Sequence, residues 1–155
     1  MIAIAIGWRS GGTSPPAVPA PPAENGNTPH GSPGTITLDR TSGSHFFVTG
    51  DVNGKPLRFV VDTGATTVAI GRDDAQRLGL GVDDSAFTLE MQTAAGPITG
   101  AKVMLPSVRV GEIQLLDVSA VILNVPDTIP MLGQSFLSRL DSVSIEQDRM
   151  TLTKR

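Results

Sequence analysis

The residues most able to do chemistry stand in one short stretch, Arg58 to Ile70, which reads RFVVDTGATTVAI. Asp62 follows directly on the apolar run Phe59 to Val61, and Thr63-Gly64 lead at once into Ala65 and the run Thr66 to Ile70. An exposed loop has no need of apolar walls, and a core strand has no need of a carboxylate. The pattern places a charged group at the mouth of a core. Taken alone, Asp-Thr-Gly is a weak signal, expected by chance in roughly a few per cent of chains of this length. Its flanks make it specific. Some seventy residues on (62 to 131) stands a second short apolar-glycine segment, Met131-Leu132-Gly133.

A carboxylate so placed suits hydrolysis by a carboxylate pair. One member takes a proton from water, and its protonated partner donates to the carbonyl oxygen under attack. Like charges held that close do not both ionise easily, so such a pair retains one proton. Within the triplet, Asp62 is the acid or base, and Thr63 has a hydroxyl to fix the loop. Gly64 permits a tight turn and offers a bare N–H to a carboxylate oxygen. One carboxylate is not a pair, however. Asp127-Thr128 continues into Ile129 and Asp141-Ser142 into Val143, so neither repeats the triplet. A complete site then needs two chains, with Asp62 and its symmetry mate meeting at a two-fold axis.

Other chemistries find less support. Gly133-Gln134-Ser135-Phe136-Leu137 begins like a serine nucleophile elbow, but Leu137 stands where the closing glycine belongs. The two histidines are His30 and His45, neither placed as an evident base. Ser135 reads instead as a helix-start residue that caps backbone N–H groups. Two scattered histidines and no cysteine give no metal-ligand spacing, and Asp83-Asp84 lacks the acceptors of a calcium loop. No glycine-rich phosphate loop follows a strand. No cofactor is expected. A net charge of −3 carries no basic surplus to attract nucleic acid.

The elements that must position Asp62 are mostly strands. Val, Ile and Thr dominate the apolar positions, with 17 Gly and 12 Pro among 155 residues, a composition of strands and turns. ITLDR, HFFVTGDV and PLRFVVD read as three strands, the last two joined by an Asn53-Gly54 hairpin turn. Leu57, Phe59 and Val61 alternate onto one face, which leaves Asp62 at the strand end. GRDDAQRLGLG reads as a short helix, with Asp73 and Asp74 in its first turn, Arg77 in its last and Gly79 past its end. FTLEMQTAAGPITGAKVML and VRVGEIQLLDVSAVIL read as two separate hairpins. PMLGQSFLSRL reads as a strand end and a short helix, and SVSIEQDRMTLTKR as a last hairpin turning near Gln147-Asp148.

Residues 1–33 read differently. Gly11 to Pro33 is Pro, Gly, Ala and small polar residues with Glu24 as its only charge, the composition of an extended tether. Met1 to Ile6 is apolar and is followed by Trp8 and Arg9. It is shorter than the roughly 20 residues of a membrane span. Two readings stand: disorder, or the end of a longer membrane anchor. The expected location is accordingly membrane-associated or periplasmic, with the cytoplasm still open.

In their order, VVDTGATTVAI, DDAQRLGL, MQTAAGPI, VRVGEIQLLDVSAVIL and MLGQSFLSRL resemble the retropepsin-like aspartic proteases, in the small single-domain bacterial form. The resemblance covers most of Phe46 to Leu140. It implies a mainly β, closed-barrel domain over residues 34–155 with a flap hairpin and one or two short helices. It also implies an aspartic endopeptidase, a homodimer across the Asp62 loop, with Thr63 bracing the two loops and the MLG segment supporting them from beneath. By the same resemblance Gln92 to Gly100 is the flap, and Ala65, Thr66, Thr93, Ala94, Ala95, Gly96 and Ile98 meet a protein or peptide substrate. Gln134 departs from the family's usual residue and is expected to face solvent. The competing reading is a peptide-binding or dimerisation module that keeps the fold without turnover.

Overall fold

The computed structural model describes residues 34–155, so the tether and leader readings fall outside the described residues. Ten strands and two short helices follow one another: β1 (Thr35–Asp39), β2 (Phe46–Val52), β3 (Lys55–Val61), β4 (Val68–Gly71), α1 (Arg72–Arg77), β5 (Leu89–Thr93), β6 (Gly96–Val110), β7 (Ile113–Leu123), β8 (Met131–Leu132), α2 (Gln134–Leu137), β9 (Ser142–Glu146) and β10 (Arg149–Thr153). A 3₁₀ turn over Asp84–Ala86 precedes β5.

Seven strands form one sheet in the order β2-β3-β8-β4-β7-β6-β5, and β2 also pairs with β6 through Asp51↔Arg109 and Val52↔Val108. Those pairings turn the sheet back on itself around a core that includes Val48, Phe59, Ile70, Leu105, Ile122, Leu132 and Phe136, each at most 1 % exposed. The remaining strands form a three-stranded sheet, β1-β10-β9, which joins the start of the domain to its end.

Local chemistry explains the turns. Asn53 and Gly54 both have positive φ, 52° and 84°, as a two-residue hairpin turn requires. Helix α1 carries Asp73 and Asp74 in its first turn and Arg77 in its last, with Gly79 at φ 77° just beyond. It has no side-chain cap; the N–H groups of Arg72 and Asp73 donate instead to the carbonyls of Val125 and Pro126.

The structure joins what the sequence pattern divides into two hairpins. ITGAKVML and VRV are one 15-residue strand, β6, running through Pro106. Leu105 pairs with Val118 and Ser107 with Leu116, so the ladder keeps its register across the proline. Opposite it, Asp117 has φ 52°. Neither Pro106 nor Ser107 is buried, and Leu116 and Asp117 are both exposed, whereas Leu105, Val108, Leu115 and Val118 all point inward. Two successive outward residues on each strand shift the alternation, which lets one long ribbon bury both ends. Arg139 closes the kink by donating to the carbonyls of Leu116 (2.7 Å) and Asp117 (3.3 Å).

Candidate active site

Asp62 lies just past the C-terminal end of β3, half-buried, where the strand leaves the core. Backbone bonds fix the turn that carries it. Its N–H donates to the Leu132 carbonyl (3.1 Å), and its carbonyl accepts from Ala65 N–H (3.2 Å). Its side-chain Oδ1 accepts from the Gly64 N–H at 2.9 Å, the contact expected of a bare glycine amide.

The MLG segment supports this loop from below. Strand β8 lies between β3 and β4, parallel to β3 (Val60↔Met131, Val61↔Leu132) and antiparallel to β4 (Ala69↔Met131). Val60 N–H donates to the Pro130 carbonyl at 2.9 Å. Beyond β8, Gln134 N–H donates to the Ala65 carbonyl (2.8 Å) and Ser135 N–H to the Thr66 carbonyl (3.1 Å). Gly133 sits where a Cβ would run into the Thr67 carbonyl oxygen and stand 2.8 Å from that of Ala65. Glycine is required there by close backbone approach, not by a positive φ.

Two side chains at this place do more than their sequence context indicates. Gln134 does not simply face solvent: its Nε2 donates to the Thr63 carbonyl at 2.9 Å, so it grips the loop from the side. Ser135 is not a cap, because α2 (Gln134–Leu137) is capped at Gly133 with no side-chain capping bond. Its hydroxyl donates to the Ser119 carbonyl (2.6 Å) and accepts from Val68 N–H (2.9 Å), tying β7 to β4. With its proton committed to a carbonyl, and His45 set edge-on to Phe47 at 6.4 Å between ring centres, Ser135 has no histidine base among its partners. A polar residue at the start of a helix signals capping in sequence; only the fold reveals that a strand amide lies nearer.

The hairpin of β5 and β6 carries the residues expected to cover substrate. Thr93, Ala94, Ala95 and Gly96 form its tip. There the Thr93 hydroxyl donates to the Gly96 carbonyl (2.8 Å) and accepts from Ala95 N–H (3.2 Å), while Gly96 has φ 121°. Among the described residues no hydrogen bond joins that tip to the Asp62 loop. The link between the two regions is apolar. Ile98 packs with Leu89, Met91, Val125 and Met131 around buried Ala69, Val121 and Leu123. Along this cluster runs an open groove of about 780 Å³ lined by Met91, Ile98, Thr99, Asn124 and Val125, among others. Ala65 and Thr66 stay with Asp62, their side chains half-buried and exposed respectively.

The root of the hairpin is fixed by polar contacts that sequence did not reveal. Asn124 donates from Nδ2 to the Thr99 hydroxyl (2.9 Å), and its N–H donates to the Thr99 carbonyl (2.8 Å). Its Oδ1 accepts from Arg72 at 2.7 Å. Arg72 also pairs with Asp84 at 2.5 Å and lies 4.7 Å over the Phe87 ring. One arginine at the start of α1 thus holds both approaches to the hairpin. No side-chain group of three or more metal-ligating residues occurs among the described residues.

A mainly β chain, a lone Asp-Thr-Gly on a loop braced by a parallel β8 and a short helix, and a projecting hairpin define the retropepsin-like aspartic protease class. Comparison with known proteins agrees. The chain belongs to the gag-polyprotein aspartyl protease family, whose model matches residues 48–139. It is similar to a crystallised retropepsin-like aspartic protease from Rickettsia conorii, with 31 % identity and a TM-score of 0.70 over 77 % of this chain and 98 % of that one. EIAV protease bound to the inhibitor HBY-793 shares the fold at 17 % identity and a TM-score of 0.53, over 64 % of this chain and 91 % of that one. An uncharacterized protein in the cobV 5′ region of Sinorhizobium sp. is 31 % identical over 76 % of this chain, and an uncharacterized Rickettsia prowazekii protein 32 % identical over 77 %. The chain spans about half the length of these curated relatives, 51 % of each.

Proposed function

We propose that the chain is an aspartic endopeptidase that works as a homodimer, with the Asp62 carboxylates of two copies sharing one proton and one water. The observation that carries the reading is the mounting of Asp62. A carboxylate meant only for solvation needs no such frame, yet this loop is held by β8 and α2 from beneath and by Gln134 from the side. Gly64 supports Oδ1, which leaves the rest of the carboxylate free to meet water or its mate. In this reading one Asp62 acts as general base toward the water, and the protonated partner donates to the scissile carbonyl. Thr63, whose side chain is exposed, braces the two loops across the axis. The tip Thr93–Gly96 closes over the peptide, and Ala65, Thr66 and Ile98 contribute to its walls. The apolar cluster around Ile98 favours hydrophobic side chains beside the cut.

The test is cleavage of an unfolded protein mixture from about pH 4 to pH 8, wild type beside Asp62→Asn, at several enzyme concentrations. Wild type should cleave with specific activity that rises with concentration, and the variant should lose at least about a thousandfold. Equal cleavage by both proteins would end the proposal.

A further inference from the structure

We infer that the open edge of β3 at Arg58 is a docking site for an extended, acidic segment of the protein substrate, remote from the bond that is cut. The inference rests on the endopeptidase reading and adds a second place where substrate is recognised.

The hydrogen bonds on either side define this edge. Asn53 and Gly54 are the two central residues of the β2–β3 turn, so Val52 and Lys55 are a hydrogen-bonded pair. Alternation turns the main-chain groups of Lys55, Leu57, Phe59 and Val61 toward β2, and those of Arg58, Val60 and Asp62 away from it. The bonds from Val60 N–H to the Pro130 carbonyl and from Asp62 N–H to the Leu132 carbonyl run that way. Strand β8 pairs with β3 only at Val60 and Val61. One step further back, the parallel ladder needs an N–H at position 130 to reach the Arg58 carbonyl, and Pro130 has none. On the other side, the Pro56 carbonyl accepts from Arg77 at 3.2 Å. Between these two closures, the N–H and C=O of Arg58 meet no partner among the described residues.

Beside them lies a groove of about 470 Å³, whose apolar lining includes Phe47, Leu57, Ile129 and Pro130. The Arg58 guanidinium lies 4.5 Å over the Phe47 ring and pairs with no carboxylate among the described residues. Of the two carboxylates that line the groove, Asp74 is paired with Arg77 at 2.9 Å and Asp127 is exposed to solvent. A guanidinium stacked on a ring is held flat, with the donors around its rim unused.

These features fit one residue of an extended chain. A residue laid antiparallel against Arg58 exchanges both main-chain bonds with it, as in strand addition to a sheet edge. Directly opposed side chains share a face, so that residue's side chain stands beside the Arg58 guanidinium. A glutamate there meets an unpaired cation, and a lysine meets repulsion. The groove is within reach of a peptide held at the site, because its wall at Pro130 is bonded to Val60, two residues before Asp62. From Arg58 to Asp62 is about 13 Å of strand, so at least about four residues of extended chain separate the acidic residue from the cut.

Binding is read by fluorescence polarisation with full-length Asp62→Asn and a fluorescein-labelled Ser-Thr-Val-Glu-Val-Thr-Ser peptide. Lys in place of Glu should weaken binding about tenfold, and so should N-methylation of the Glu amide, which removes the N–H offered to Arg58. Neither change alters the protein, so neither depends on how a variant folds. Arg58→Met should weaken the Glu peptide about fivefold and its Gln counterpart less, while Asp127→Asn should tighten the Glu peptide about twofold. Equal affinity for the Glu and Lys peptides, or an unshifted constant in Arg58→Met, overturns the docking site. In wild type, a substrate carrying this segment several residues from its cut should have a KM about tenfold below that of its Lys counterpart at equal kcat. Binding at Arg58 without that difference in KM overturns the assignment to substrate. Binding that follows these rules in a protein without Asp62-dependent cleavage removes the endopeptidase reading and leaves the acidic-peptide edge standing.

Discussion

The Asp62 loop and the Thr93–Gly96 tip are both short turns of small residues, yet they are held in opposite ways. The loop has partners all along one other stretch, Leu132 to Ser135: Leu132 on β8, the packed glycine Gly133, and Gln134 and Ser135 at the start of α2. The tip bonds only to itself, and a Cβ added at Gly96 would meet nothing within 4 Å. Under the proposed function, fixity lies where the reacting group must keep its position, and freedom where a peptide must enter and leave. Two alanine substitutions at glycine separate these regimes most widely.

Gly133→Ala has the largest expected effect. Its methyl would press on the carbonyl oxygens of Thr67 and Ala65, both backbone atoms of the Asp62 loop. Backbone on a braced loop yields little, so the cost is about 3 kcal/mol or more, read from the midpoint of urea unfolding. Gly96→Ala adds conformational strain at φ 121° but no clash. Its cost of about 1–2 kcal/mol falls on the hairpin tip, so KM should move while the unfolding midpoint nearly holds. A midpoint shift as large as that of Gly133→Ala would show that the tip is part of the core after all.

Ser135→Ala comes next. Removing the hydroxyl leaves Val68 N–H and the Ser119 carbonyl without their shared partner, a loss of about 1–3 kcal/mol. Cleavage per folded molecule should stay within about threefold of wild type. Complete loss of cleavage in a variant that remains folded would return Ser135 to the list of nucleophiles.

How much of this was legible in sequence follows the same division. Asp62 and its apolar flanks are local patterns with a period, so strand β3 and its end could be read directly, while the place of the MLG segment beneath the loop was legible only through the family resemblance. The Asn53-Gly54 turn and helix α1 were legible because their residues need particular φ values and charges at fixed offsets. The continuous β6 was not, since Pro106 ordinarily ends a pattern; it is tolerated where Asp117 departs from extended geometry opposite it. The contacts of Gln134, Ser135, Asn124 and Arg72 were hidden for another reason. Each joins residues brought together only by the sheet order, such as Gln134 and Thr63, 71 positions apart. A polar side chain near a turn has many partners within reach, and sequence alone does not rank them.

Gln134 offers the smallest and sharpest probe of the braced loop. Its Nε2 bond to the Thr63 carbonyl is neutral and partly solvated, worth about 0.5–1 kcal/mol. Gln134→Leu should therefore cost only a few-fold in kcat, with KM little changed. Gln134→Glu is more telling. An ionised carboxylate only accepts, so it cannot hold the Thr63 carbonyl, and it adds negative charge beside the loop that carries Asp62. This variant should fall further than Gln134→Leu near neutral pH. As the pH drops toward about 4, glutamic acid regains an O–H to donate, and the gap between the two variants should close. The lost charge alone would bring Gln134→Glu back only as far as Gln134→Leu, whereas a regained O–H donor would carry it past that level toward wild type. Recovery of Gln134→Glu past Gln134→Leu in acid would mark Gln134 as a positioning residue, acting on Asp62 through the carbonyl of its neighbour.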